Sequence, residues 1–89
     1  MIYKINILAQ AEQDLAWFRK HDKKHYIKCF DLVRDAAQEP RKGIGKPERL
    51  KYYAQEVYSR RVNRKDRMVY IIDEEKKEID ISSFRGHYE

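Results

Sequence analysis

Glu56-Val57-Tyr58-Ser59-Arg60-Arg61-Val62 and Arg67-Met68-Val69-Tyr70-Ile71-Ile72-Asp73 flank the turn-like Asn63-Arg64-Lys65-Asp66 and read as the two strands of a β-hairpin. The rest of the chain arranges itself around that hairpin. Downstream, Glu74-Glu75-Lys76-Lys77 reads as a second turn, followed by alternating Ile79 and Ile81 in a strand that reaches Phe84. Upstream, residues 49–52 follow a loop marked by Gly43 and Gly45 and suit a short additional strand. Residues 2–8 have strand composition, with Tyr3, Ile5 and Ile7 on one face.

Between these strands lie two helical patterns. Ala11, Leu15 and Phe18 mark one face of a helix over residues 11–21, with Trp17 broadening that face and Glu12 and Asp14 placed to favour its positive N-terminal end. Asp22 suits the N-cap of a second helix, where Tyr26, Phe30, Val33 and Ala37 recur at helical spacing beside Ile27, Cys29 and Leu32, and which Pro40 ends. Almost nothing joins the two, so they form an antiparallel pair whose apolar faces need a sheet to cover them. The expected fold is α+β, one domain over residues 1–89: two N-terminal helices on one face of a mainly antiparallel sheet of four to five strands. The face left open is the candidate site.

Eighty-nine residues allow a single small core. The one cysteine, Cys29, excludes an internal disulfide, and its apolar neighbours suit a buried structural thiol rather than a nucleophile. His21 and His25 straddle the helix junction without evident carboxylate partners, so neither a metal site nor a cofactor is expected. The first residues lack a signal-peptide core or a membrane-spanning run, and the expected location is the cytoplasm, with no membrane partner. Of the net charge of +5, residues 41–67 alone carry +7, with ten Lys or Arg against Glu48, Glu56 and Asp66. Such a field suits a polyanion, RNA or an acidic protein, although a solvated basic surface has the same composition.

Cleaving RNA through its own 2'-hydroxyl requires a base for that proton, a cation for the phosphate and an acid for the leaving oxygen. Glu48, Arg67 and His87 supply one of each, but a surface Glu, a hairpin Arg and a tail His are equally ordinary features. Arg60 and Arg61 are adjacent, so in a strand only one of them can line the site. Tyr52 and Tyr53 are suited to contacting RNA or to packing on the sheet edge.

Gly45-Lys46-Pro47-Glu48-x-Leu50-Lys51, Tyr58-Ser59-Arg60-Arg61, Arg67-Met68-Val69-Tyr70 and His87-Tyr88, in this order and spacing, resemble the YoeB-type toxins of the RelE superfamily. The resemblance runs nearly end to end and includes Asp22-Lys23-Lys24 at the start of the second helix. It implies a ribosome-dependent endoribonuclease that enters the A site and cuts mRNA, held in check by a YefM-like antitoxin. It also implies a homodimer, and contact with operator DNA only through the antitoxin complex. Glu48 would then be general base, His87 general acid and Arg67 the stabiliser of phosphate charge. Lys46, Lys51 and Arg61 would bind phosphate or support the catalytic residues, the family pattern selecting Arg61 over Arg60, and Tyr88 would orient the substrate or stack on a base.

Three positions depart from the family pattern. Glu56 stands where glycine is usual and is expected to bring negative charge near the site. Gly86 replaces a bulkier residue, and Glu89 extends the chain beyond Tyr88. The rival expectation is a non-catalytic inhibitory module of the same superfamily that binds gyrase or the ribosome; a general basic RNA-binding domain is a third. Neither has a use for Glu48, Arg67 and His87-Tyr88 together.

Overall fold

The hairpin forms where the alternation places it. β1 (Lys4–Ile7), α1 (Ala9–His21), α2 (Lys23–Gln38), β2 (Glu48–Arg49), β3 (Glu56–Arg61), β4 (Arg67–Asp73) and β5 (Glu78–Ser83) follow one another in a computed structural model that describes residues 2–86. The five strands form one sheet in the order β1-β5-β4-β3-β2. Its pairs are antiparallel except β1 with β5, which is parallel and sets Lys4 opposite Glu78 and Ile7 opposite Ile81. The α+β architecture is the expected one.

Both helices cover one face of this sheet. Phe18 of α1 and Cys29, Leu32 and Ala36 of α2 meet Met68, Tyr70, Ile72, Ile79, Ile81 and Phe84 in the principal core. Complete burial of each large apolar side chain contributes roughly 1.5–3 kcal/mol. Asp22 caps α2 by accepting the His25 backbone N–H, which lets the chain reverse within a single residue.

Several element details differ from the sequence pattern. The buried stripe of α2 runs through Cys29, Leu32 and Ala36, so Phe30 and Ile27 turn outward; the apolar residues are broad enough to support either rotation, and packing on the sheet chose one. α1 begins at Ala9, two residues early, and Asp14 does not serve the helix N-terminus. Its carboxylate is buried against the C-terminal segment, where it accepts backbone N–H bonds. β1 is shorter than residues 2–8, and β2 is only Glu48–Arg49.

A β-bulge keeps the end of β5 in the core. Val69 lies opposite Ser83 but Tyr70 opposite Ile81, so Ser82 is an extra residue, and its hydroxyl donates to the Val69 carbonyl at 3.1 Å. The inserted residue shifts the alternation by one. Ile79, Ile81 and Phe84 are therefore all buried under the helices. No helix among the described residues is long and apolar enough to cross a membrane.

Candidate active site

The face away from the helices is set by the same alternation. Tyr58 and Tyr70 pack toward the helices, so Val57, Ser59 and Arg61 of β3 and Arg67, Val69 and Ile71 of β4 face the other way. Leu50, Val57 and Val69 form a second small buried cluster there, with Ile71 packed against it. Register places Glu48 opposite Ser59, in the same row as Val69, so its carboxylate shares this face. Arg61 pairs directly with Arg67, one row along.

Glu48, Arg61 and Arg67 are thus brought together on three adjacent strands around an apolar floor. Glu48 and Arg61 are diagonal neighbours on adjacent strands, a spacing of about 7–8 Å in a regular sheet, and Arg67 lies directly opposite Arg61 on the next strand. Two arginines directly opposite one another repel, and an anion between them relieves that repulsion. Arg67 is half-buried and its Nη1 donates to the Asn63 and Asp66 carbonyls at 3.1 Å each, which fixes the guanidinium at the turn. Among the described residues its Nε and Nη2 make no hydrogen bond, and Glu48, exposed, makes neither a hydrogen bond nor an ion pair. Lys46 and Lys51 bracket Glu48 and are exposed. His87 and Tyr88 lie outside the described residues, as does Glu89.

Arg60 has the opposite role. It is fully buried, and all five of its N–H donors are used: Nε to Tyr70 Oη at 2.9 Å, Nη1 to Asp35 Oδ2 at 2.6 Å and the Ile44 carbonyl at 3.1 Å, and Nη2 to the Glu39 and Lys42 carbonyls at 2.7 and 2.8 Å. Arg60 therefore ties down the loop between α2 and β2. The Tyr70 hydroxyl in turn donates to the Pro40 carbonyl at 2.6 Å. The Arg60 hydrogen bond holds the Asp35 carboxyl below its ordinary range, and burial pushes the Tyr70 phenol up. Asp35 also accepts the Ile44 N–H, and the Arg61 N–H donates to the Gly45 carbonyl at 2.6 Å, so the loop is delivered to Lys46 in one position. Lys46 itself has φ +52, a left-handed conformation uncommon for a side chain of its size.

Glu56 does not bring negative charge to this face. It lies on the helix side, where Arg41 grips both carboxylate oxygens at 2.7 and 2.9 Å and lowers its pKa. Arg41 continues to Glu74 at 3.0 Å, and Glu74 accepts the Tyr3 hydroxyl and pairs with Lys77. Tyr52, 98% exposed at φ +70, does not pack on the sheet edge. A shallow cleft of about 420 Å³ at the far end of the sheet, whose lining includes Glu56, Asp73, Glu74, Glu75 and Asp80, is acidic and unsuited to phosphate.

Burial raises the Cys29 thiol to about 12, so it stays protonated. His25 bonds the Asp22 carboxylate at 2.7 Å while His21 packs against Trp17, and among the described residues no group of three or more His, Cys, Asp or Glu is placed to hold a metal. Sequence reading gave Asp14 to the helix N-terminal end and Asp66 to the hairpin turn, and missed that both are buried carboxylates that accept backbone N–H groups of residues 84–86. Asp14 lies within the Ala11-Leu15-Phe18 stripe, and an acid on an apolar face was the available signal.

Comparison with known proteins gives the chain a family. Residues 8–88 match the model of the YoeB-like toxin of bacterial type II toxin-antitoxin systems. The chain is 37% identical to the toxin YoeB of Synechocystis sp. over 97% of its own length and 98% of that protein. The YoeB dimer from Staphylococcus aureus superposes with a TM-score of 0.86 at 36% identity, covering 99% of this chain and 100% of the other. A heterotetrameric YoeB-YefM toxin-antitoxin complex from the same organism superposes with a TM-score of 0.81 at 36% identity and the same coverage. The chain belongs to the family of YoeB-like toxins of bacterial type II toxin-antitoxin systems.

Proposed function

We propose that this toxin is an mRNA endoribonuclease that acts in the ribosomal A site without a metal. The observation that carries the reading is the convergence of Glu48, Arg61 and Arg67 on the open sheet face, with a carboxylate that makes no ion pair among the described residues. Glu48 takes the proton from the substrate 2'-hydroxyl, whose oxygen attacks the adjacent phosphorus. The bond from phosphorus to the 5'-oxygen breaks, and His87 gives that oxygen a proton. Arg67, with Arg61, Lys46 and Lys51 along the backbone, stabilises the added charge on the phosphate, and Tyr88 stacks on or orients a base. The products are a 2',3'-cyclic phosphate and a 5'-hydroxyl, with no water consumed.

The same reading gives the protein a YefM-like antitoxin, acidic where it covers residues 41–67. The complex of the S. aureus relative with YefM supports that partner, and the dimer of the same relative supports self-association. Operator DNA is reached only through the antitoxin complex.

Glu48→Gln and His87→Gln are each expected to slow cleavage on mRNA-programmed ribosomes by about 10²–10⁴-fold, the usual contribution of a general base or acid, with antitoxin binding retained. Wild-type cleavage by both variants would return the protein to a non-catalytic binding role. Products ending only in a 3'-hydroxyl would exclude the 2'-hydroxyl as nucleophile.

A further inference from the structure

The end of the described chain is held by two buried acids. Asp14 Oδ2 accepts the backbone N–H of Phe84 at 2.9 Å and of Arg85 at 3.2 Å, while its Oδ1 accepts Gln10 Nε2 at 2.9 Å. Asp66 Oδ1 accepts the next N–H, of Gly86, at 3.0 Å, and its Oδ2 accepts Asn63 Nδ2 at 3.0 Å. Asp14 is 5% and Asp66 6% exposed, and among the described residues neither makes an ion pair. Burying an unpaired carboxylate is costly and needs strong donors in return. Here the donors are three consecutive main-chain N–H groups.

The side chains on this segment reinforce the hold. Phe84 is fully buried, and the Arg85 guanidinium lies 3.7 Å over the centroid of the Trp17 indole on α1. Gly86 has φ +101, and a Cβ built there would meet nothing within 4 Å, so the glycine serves backbone direction and not packing. Asp66 also immediately precedes Arg67, whose Nη1 donates to the Asp66 carbonyl. One residue thus fixes both the hairpin arginine and the departure of the chain at Gly86.

We propose that Asp14 and Asp66 are positioning residues for the cleavage reaction: as a two-point clamp they fix the main chain of residues 84–86, from which His87, the general acid of the proposed reaction, follows directly in sequence. The inference rests on the proposed function, because it gives His87 the role of general acid. Neither aspartate touches the substrate, and their effect passes through the tail.

The test compares Asp14→Ala, Asp14→Asn and Asp66→Ala with the unaltered full chain in single-turnover cleavage on programmed ribosomes. Each alanine variant is expected to lower the maximal rate about 100-fold, the scale of a misplacement near 1 Å, with half-saturation unchanged within about threefold. Asp14→Asn keeps an oxygen acceptor for the two N–H groups and is expected to recover most of the rate. In a His87→Gln background, adding Asp14→Ala or Asp66→Ala is expected to cause no further loss, since the group they position is gone. Thermal unfolding of each variant accompanies the rates, and Asp66→Ala, at the hairpin turn, carries the comparison if Asp14→Ala does not fold cooperatively. Equal losses with and without His87, or full activity in both alanine variants beside an inactive His87→Gln, would overturn the clamp alone. A fully active His87→Gln would overturn the proposed function and the clamp with it.

Discussion

Arg60 and Arg61 differ by one position in the chain and by the whole thickness of the sheet. That division was readable from alternation, because neighbours in a strand point to opposite faces. What Arg60 does was not readable, since it joins Asp35 in the last turn of α2 to carbonyls at residues 39, 42 and 44 of a loop without periodicity. Removing a fully buried guanidinium strands Asp35 and three carbonyls. Arg60→Met is expected to destabilise by about 3–5 kcal/mol, and Arg60→Lys, with three donors in place of a planar fork, by a large part of that. A fall of Tm by more than about 10 °C in calorimetry is the check. Gly43→Ala should weaken the same cluster, because at φ +122 a Cβ there would run into the Asp35 carboxylate. A loss of about 1–3 kcal/mol in urea unfolding is expected.

The same pair predicts acid sensitivity. Asp35 and Glu56 have folded-state pKa values below their ordinary ones, Asp35 through Arg60 and Glu56 through Arg41. The folded protein therefore holds fewer protons than the unfolded chain as pH falls through the carboxylate range. The stability that these pairs contribute is complete above about pH 5 and is lost as pH falls through the lowered values. Asp35→Asn should flatten the acid limb of a plot of unfolding free energy against pH; an unchanged limb would count against the pair.

At the scale of elements, the hairpin and the two helices were legible because each has its own period. The partner of β1 was not. A four-residue strand carries no mark of parallel pairing with a segment more than seventy residues away, and only tertiary closure decides it. The Ser82 bulge was equally hidden, since Ile79, Ile81 and Phe84 read as an alternation broken at its last member. Deleting Ser82 would restore regular register and turn Phe84 out of the core. The loss should approach the about 3–5 kcal/mol of a buried Phe→Ala change, and would also move the tail off Asp14. Urea unfolding and ribosome cleavage should fail together in that deletion. The rotation of α2 shows the complementary limit: eight apolar residues on sixteen positions leave the buried stripe to the sheet that meets it.

For the whole molecule, the charge map read from sequence and the open face overlap: Lys46 and Lys51 flank β2, Arg61 ends β3 and Arg67 begins β4. Association of the Glu48→Gln protein, which the proposed mechanism makes inactive, with programmed ribosomes should weaken steeply as salt is raised. Arg61→Ala should reduce the slope of log affinity against log salt by about 0.7, the release of one counterion from single-stranded RNA. An unchanged slope would remove Arg61 from the phosphate path. The parallel pairing of Lys4–Ile7 with Glu78–Ile81 adds a consequence in time. During synthesis the first strand has no neighbour until residues 78–83 emerge, and the apolar faces of both helices wait with it. A chain stopped short of β5 therefore lacks the strand that closes the sheet over both helices, and is expected to stay unfolded.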